Sequence, residues 1–318
     1  MYMRVLRCLR ALADETRLRM YNILSDHELT VNEIVRVLQM GQSRVSRHLK
    51  IMADGELLVS RREGSWVHYT IRRDPASEKL TSAVTEMLGS ETQAVADLER
   101  ARAVVRERHH ATQQFFDRIA ESWEDLKKHI LGDLDLNSIL CRMAEECDTA
   151  VDVGCGTGDL LVGLREHSKR AIGVDSSPKM LGLARRRFSS EAGLQFRLGE
   201  AEFLPLRDAE ADLAVMSLVL HHLSDPECGL SEVNRVLEPH GTFILADLEA
   251  HAFEFVRDRY GDRWLGFDPQ SLTQLLSTSG FDLRNQECFQ LQQGLRLHIY
   301  ISTKIQERSK NNAQRNEF

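Results

Sequence analysis

The chain has 318 residues, enough for two domains and for a sizeable core without disulfide or metal staples. With 42% hydrophobic and 28% charged residues it has a globular composition, which excludes collagen-like, low-complexity and wholly disordered chains. The net charge of −7 is uneven: residues 1–73 carry 13 Lys and Arg against 8 Asp and Glu, and the rest 28 against 40, so a polyanion partner is expected at the N-terminal lobe alone.

From the start, Leu6, Leu9 and Leu12, then Leu18, Tyr21 and Leu24, recur at helical spacing. Thr30-Val31-Asn32-Glu33 is a capping box, and it opens a helix with Ile34, Val37 and Leu38 on its apolar face. Met40-Gly41-Gln42 reads as a tight turn. The helix over 43–53 places Val45, Leu49 and Met52 on one face and Ser43, Arg44, Ser46, Arg47 and Lys50 on the other. Residues 57–60 and 66–71 read as two strands around the basic turn Arg61-Arg62-Glu63-Gly64-Ser65, a hairpin stopped by Asp74-Pro75. Two short helices joined by a tight turn, the second polar and basic on its outer face, make a helix-turn-helix whose second helix suits the major groove, and the basic β-wing suits the phosphates beside it. Residues 77–130 read as helical and strongly charged, with one apolar stripe that needs a partner.

After 149, short apolar runs (149–153, 170–174, 194–198, 211–216, 241–247) alternate with helical stretches, as in a doubly wound parallel sheet. Val151-Asp152-Val153-Gly154-Cys155-Gly156-Thr157-Gly158-Asp159 follows the first of these strands. Its glycines let the backbone turn sharply and admit a ligand close to the main chain. Val174-Asp175 ends the next strand, where a carboxylate can take the hydroxyls of a ribose. A dinucleotide loop requires glycine at 159, but Asp159 repels phosphate, so a ligand with a ribose and no phosphate suits the loop better. S-adenosylmethionine (SAM) fits, its amino group favouring Asp152 and its ribose Asp175.

The six cysteines, at 8, 141, 147, 155, 228 and 288, form no CxxC pair, so neither a zinc set nor a disulfide framework is expected, and no metal cofactor. The apolar run Ala211–Leu220 is too short to cross a membrane and contains Asp212. Met1-Tyr2-Met3-Arg4, with Arg7 and Arg10, lacks the apolar segment of a signal peptide, so the expected location is cytoplasmic, with no membrane partner. His221, His222 and His251 are the candidate bases should a methyl acceptor need one, and no acceptor site or catalytic residue is identifiable.

Residues 6–73 resemble an ArsR-type winged-helix repressor domain through the stretches 9–19, 42–50 and 61–69. The resemblance implies operator binding through Gln42, Ser43, Arg44, Ser46, Arg47, His48 and Lys50 of a recognition helix and Arg61 and Arg62 of a wing, and it implies a homodimer. Metal-sensing members carry cysteines where this chain has Thr30-Val31-Asn32-Glu33, and Glu107, His109 and His110 are a poor substitute because adjacent helical side chains diverge.

Residues 112 to about 304 resemble a class I SAM-dependent methyltransferase domain. The resemblance implies SAM or S-adenosylhomocysteine (SAH) bound by Asp152, Gly154, Cys155, Gly156, Asp175, Ser176 and Met180. It adds Glu200 and Ala201 (Glu200 where Asp is usual) at the adenine, Ser217 after the fourth strand, and Phe116 and Trp123 in a lid over the cofactor. His240 stands where a glycine is commoner. The expected fold is α/β: an N-terminal winged helix-turn-helix (1–75), linking and dimerisation helices (76–131), a doubly wound Rossmann-like domain (132–304) and a frayed tail (305–318). The architecture is similar to that of SAH-responsive regulators of the methionine cycle. That likeness implies a repressor sensing SAH or SAM. The alternatives are an active small-molecule methyltransferase with an autoregulatory head and, less favoured, a metal-responsive repressor.

Overall fold

In the computed structural model, residues 2–63, 66–89 and 91–306 are described; for residues 2, 3, 62, 63, 66, 76, 109 and 258 this covers the backbone only. The chain divides into two compact units, Met1–Ala111 and Thr112–Phe318, so the boundary falls inside the segment read as linking helices.

The first unit runs α1 (Tyr2–Leu12), α2 (Glu15–Asp26), β1 (Leu29–Thr30), α3 (Val31–Leu38), α4 (Gln42–Asp54), β2 (Leu58–Glu63), β3 (Trp66–Ile71), α5 (Pro75–Leu88) and α6 (Thr92–Ile119), whose last turns belong to the second unit. Helices α2 and α3 start where a side chain takes free N–H groups of the first turn. Asp14 accepts from the Arg17 N–H at 3.1 Å. Thr30 and Glu33 form the reciprocal capping box at α3. Gln39 ends α3 in the left-handed region (φ 54°), which turns the chain into α4 within a few residues. The three strands form one antiparallel sheet in the order β1-β3-β2.

The core of this unit is Met20, Tyr21, Ile23, Leu24, Ile34, Val37, Val45, Leu49 and Met52, and the apolar stripe of α5 and α6 joins it through Val84, Ala101 and Val104. Much of the stripe expected to seek a partner is therefore covered within the unit. Two partly buried ion-pair groups fasten α6. Arg108 donates to Glu33 Oε2 at 2.6 Å. Fully buried Asp97 accepts from Arg19 Nε at 2.6 Å and from Arg100. The α1 stripe behaves differently: Leu12 is buried, whereas Val5, Leu6 and Leu9 are 51%, 47% and 51% exposed.

The second unit runs α7 (Trp123–Leu131), α8 (Leu136–Met143), β4 (Cys147–Val153), α9 (Asp159–Glu166), β5 (Ser168–Asp175), α10 (Pro178–Arg187), β6 (Leu194–Leu198), β7 (Ala211–Ser217), α11 (Pro226–Val236), β8 (Leu237–Leu248), α12 (Phe255–Tyr260), α13 (Pro269–Thr278), β9 (Phe281–Gln290) and β10 (Arg296–Lys304). Its seven-stranded sheet has the order β6-β5-β4-β7-β8-β10-β9. Strands β4 to β8 are parallel, and β10 runs antiparallel between β8 and β9. The apolar runs of β4, β5, β7 and β8 are buried on both faces, as helix-covered parallel strands require. Helices α10, α11 and α13 each open with Pro after a Ser or Asp cap, which sets the first turn directly behind a strand or loop. His240 has φ 65°, so the residue standing at a glycine-favouring position does adopt the left-handed conformation.

Chain order leaves β4 for β5 and β6 on one side, then returns to β7 and β8 on the other. The switch point therefore lies between β4 and β7, and the crevice outside the carboxyl ends of these strands is where such sheets bind ligands. Residues 307–318 of the expected tail lie outside the described residues.

Candidate functional sites: a basic helix face and a nucleoside cleft

On α4, the 3.6-residue period puts Val45, Leu49 and Met52 in the core, all fully buried. Gln42, Ser43, Arg44, Ser46, Arg47 and Lys50 are exposed on the opposite face. His48 is a correction to the sequence reading. Lying three residues after Val45 and four before Met52, it falls on the inner face and is only 8% exposed. Its Nδ1 is buried without a hydrogen bond, 3.8 Å from Asp14, and burial lowers its pKa, so it adds no positive charge to the helix face. Arg44 reaches back to the Thr16 hydroxyl at 3.3 Å. In the wing, Arg61 donates to Glu28 at 3.2 Å. The Arg62 side chain and the turn residues Gly64 and Ser65 lie outside the described residues.

In the second unit, the residues expected around a nucleoside gather at the strand exits of the switch point. Gly154, Gly156 and Gly158 all have positive φ (76°, 52° and 86°), so the loop after β4 folds as only glycines permit without strain. A Cβ on Gly154 would lie 2.3 Å from Val219 Cγ2, and one on Gly156 3.5 Å from Trp123 Nε1. Asp175, half-buried at the end of β5, accepts from the Gly156 N–H at 2.8 Å through Oδ2 and from the Ser177 N–H at 2.8 Å through Oδ1. Burial raises its pKa to about 6, against the pull of these two N–H bonds. Asp152 is 2% exposed near the end of β4, and burial, with Asp175 and Asp159 adding to it against Lys127, raises its pKa to about 7. Both carboxyls are thus poised for a cationic or hydroxyl partner.

Ser176 is half-buried beside Asp175, and Met180 is buried in the first turn of α10. The Cys155 thiol faces away from the loop, against Gly173, whose Cβ would meet its sulfur at 2.7 Å; only the Cys155 main chain is left for a ligand. Ser217, at the end of β7, has a buried hydroxyl with no hydrogen-bond partner. Glu200 is exposed in a tight turn closed by the Phe203 N–H, with half-buried Ala201 inside it. Leu198 and Phe203, on either side of it in sequence, are 55% and 69% exposed, apolar surface of the kind a base could cover. Phe116 packs edge-on against Trp123 at 5.5 Å and against His222 at 4.8 Å. Asp117 accepts from the Ser177 hydroxyl at 2.5 Å, which fastens the end of α6 to the start of α10.

Several contributors escaped the sequence reading. Glu202 is buried and accepts from the Ser224 and Asp225 N–H groups at 2.8 and 3.1 Å, holding the chain behind His221 and His222. Asp247, near the end of β8, meets His221 Nδ1 at 2.7 Å, and Asp262 lies 3.6 Å from His221 Nε2. Burial lowers the His221 pKa, but these two carboxylates outweigh it and hold the ring at about 9. His222 is held well below its usual pKa by burial and by His221. His251 is lowered to about 4, mainly by burial. The one signal available in sequence was positional: Asp152, Asp175 and Asp247 all stand at carboxyl ends of apolar parallel runs.

The comparisons with known proteins follow this division. The bacterial regulatory protein, arsR family, matches residues 14–58, and the methyltransferase domain family matches residues 151–245. A methyltransferase of Synechocystis is 30% identical over 158 residues, covering 49% of this chain and 72% of the relative. The malonyl-[acyl-carrier protein] O-methyltransferase of Serratia marcescens is 36% identical over 118 residues, 37% of this chain and 44% of that enzyme. A 37.1 kDa protein in transposon Tn4556 of Streptomyces fradiae is 39% identical over 103 residues, 31% of this chain and 30% of the relative. The chain thus spans less than half the length of the last two.

Among solved structures, N-methyltransferase NodS of Bradyrhizobium japonicum in complex with SAH has a TM-score of 0.52 at 17% identity, covering 61% of this chain and 99% of NodS. The [4+2]-cyclase SpnF has a TM-score of 0.53 at 17% identity, covering 61% of this chain and 95% of SpnF. These two share the fold with different chemistries, so the fold alone does not assign the reaction. The chain belongs to the methyltransferase family through its C-terminal unit, which it joins to an N-terminal helix-turn-helix of the bacterial arsR regulatory family.

Proposed function

We propose that the chain is a DNA-binding regulator, a homodimeric repressor, whose methyltransferase-type domain binds SAM or SAH and transmits SAH occupancy to the DNA-binding domain in control of methionine and SAM-cycle genes. The observation that carries the ligand class is the Asp175 carboxylate, held by N–H groups of two different strand-to-helix loops beside a loop of three positive-φ glycines. A carboxylate so placed accepts ribose hydroxyls. The buried Asp152 suits an α-amino group, the unpartnered Ser217 hydroxyl lacks a polar partner such a ligand offers, and Asp159 disfavours a phosphate. SAM and SAH differ by one methyl and one positive charge, a difference on the order of the 1–3 kcal/mol typical of coupling energies.

Helix α6 supports the transmission step. It contributes Ala101, Val104 and Arg108 to the packing of the first unit, and its last turns supply Phe116 and Asp117 to the cleft of the second. A ligand shifts DNA affinity only if it prefers one state of such a shared element. The exposed Val5, Leu6 and Leu9 of α1 offer apolar surface for a second copy. A cytoplasmic location follows from this role, and none of the described helices is long and apolar enough to cross a membrane. Parallel calorimetric titrations with SAM and SAH, followed by gel shifts on the chain's own promoter region, test the proposal. Tighter SAH binding and an SAH-dependent operator affinity are expected; an operator affinity unchanged at saturating SAH removes the sensing role.

A second reading, methyl transfer to a small molecule, is favoured by the buried His221–Asp247 pair and by His222 against Phe116 at the cleft edge. Steady multiple turnover of labelled SAM into a metabolite extract would establish it in place of the non-enzymatic reading.

A further inference from the structure

His221 and His222 follow β7, and Asp262 arrives from the turn after α12, forty residues later in the chain. One ligand atom of each lies within 4.8 Å of the other two, and all three residues are buried. The ring nitrogens are already sorted. His222 Nδ1 lies 3.2 Å from the Gly261 carbonyl, which can only accept, so Nδ1 carries the proton and Nε2 is left as a lone pair. His221 Nδ1 faces Asp247 Oδ1 at 2.7 Å, which directs its Nε2 toward Asp262. Imidazole ligands of metal ions are oriented in this way, the outer nitrogen donating to a carboxylate or a carbonyl.

Two further observations point to a cation. Asp262 Oδ1 is buried with no hydrogen-bond partner, on a residue 5% exposed. Its distance to His221 Nε2, 3.6 Å, is too long for a hydrogen bond. Two ligand atoms about 2.0–2.2 Å from a tetrahedral zinc ion sit roughly 3.3–3.6 Å apart, which is the gap observed. Charge agrees with geometry: Asp247 and Asp262 are both buried carboxylates, and a divalent ion on neutral imidazoles balances them.

We propose that His221, His222 and Asp262 form a two-histidine, one-carboxylate site for a divalent transition-metal ion, zinc foremost, with Asp247 and the Gly261 carbonyl as its outer supports. Such a set leaves at least one coordination position open. The inference replaces the expectation of no metal: that expectation rested on the missing cysteine pairs, and these ligands come together only through the fold. It does not depend on whether the cleft holds SAM or SAH. A proton on His221, shared between Asp247 and Asp262, is the rival occupant.

The test uses the full chain with Cys288→Ser, because Glu249, Cys288 and His298 make a second cluster with an exposed thiol. Metal-stripped protein is titrated with Zn²⁺ by calorimetry and with Co²⁺ by visible absorption. One ion per chain is expected, with the intense bands of a tetrahedral Co²⁺ site. Asp262→Asn and His222→Gln should each weaken binding at least ten-fold, and Asp247→Asn by roughly 10–100-fold as an outer-support change. Zn²⁺ should raise the melting temperature of the parent and not that of Asp262→Asn, whose metal-free melting temperature reports its folding. No saturable ion, or an ion equally bound by Asp262→Asn and His222→Gln, overturns the site; the first result leaves the proton as occupant.

Discussion

The Gly154 turn offers a quantitative test of the cleft. Gly154→Ala places a methyl in two kinds of trouble. The residue has φ 76°, a left-handed conformation that costs a non-glycine residue roughly 1–2 kcal/mol. The new Cβ would also lie 2.3 Å from Val219 Cγ2 and 3.0 Å from Cγ1, an overpacking that typically costs about 1–3 kcal/mol. Together the substitution should destabilise the second unit by about 2–5 kcal/mol. Val219→Ala removes both offending methyls and leaves only Val219 Cβ, at 3.2 Å. Alone it should cost up to about 1.6 kcal/mol for two methyls, less because Val219 is only partly buried. The double variant should then be more stable than the sum of the singles by about 1–3 kcal/mol, with the φ cost remaining. The assay is urea denaturation followed by tryptophan fluorescence in a Trp66→Phe background, where only Trp123 and Trp264, both in the second unit, report. Gly156→Ala is the control: its nearest contact is Trp123 Nε1 at 3.5 Å, so only the cost of φ 52° applies to stability, while ligand approach to the main chain is blocked. Strict additivity of Gly154→Ala and Val219→Ala, within about 0.5 kcal/mol, would refute the packing argument.

Four other outcomes are expected. Burial raises the Asp152 pKa to about 7, so between pH 7 and about 4 the folded state binds a proton that the unfolded state lacks, and stability should rise as pH falls through this window. Asp152→Asn should abolish roughly 2.5 kcal/mol of that pH dependence between pH 8 and pH 5 in melting curves at pH 8, 6 and 5; parallel curves for the two proteins would contradict the assignment. Asp97 is fully buried among Arg19, Arg100 and Gln93, and Asp97→Ala should destabilise the first unit by about 3 kcal/mol in denaturant titrations, since it strands two arginines. Burial raises the Asp97 pKa, but the arginines outweigh it and the net shift is downward, so its contribution is present at neutral pH and lost as pH falls below the ordinary carboxylate range; a variant as stable as the parent at pH 7 counts against the pair. Arg47→Gln and Lys50→Gln should each reduce the log–log salt slope of operator affinity by about one if they meet phosphates, and an unchanged slope would move them off the backbone contact.

The sequence by itself determined the local devices and their order. The Thr30–Glu33 box, the Asp and Ser caps, the Pro-led helices and the period of α4 act over three or four residues, so their physics is complete within a short window. The apolar runs and the Gly154–Gly158 loop similarly announced a parallel sheet and the place where its ligand approaches. His48 shares the helical spacing of Val45 and Met52, but its basic neighbours in sequence drew it to the outer face, and the packing shows that its ring faces the core.

The tertiary structure alone decided which distant groups share a low-dielectric volume. Asp97 meets Arg19 from 78 residues away, and Asp247 and Asp262 meet His221 from strands and turns that no local pattern links. Buried charges are stable only in company, and that company is chosen by sheet order and loop closure, which bring together residues whose separation along the chain carries no trace of the encounter.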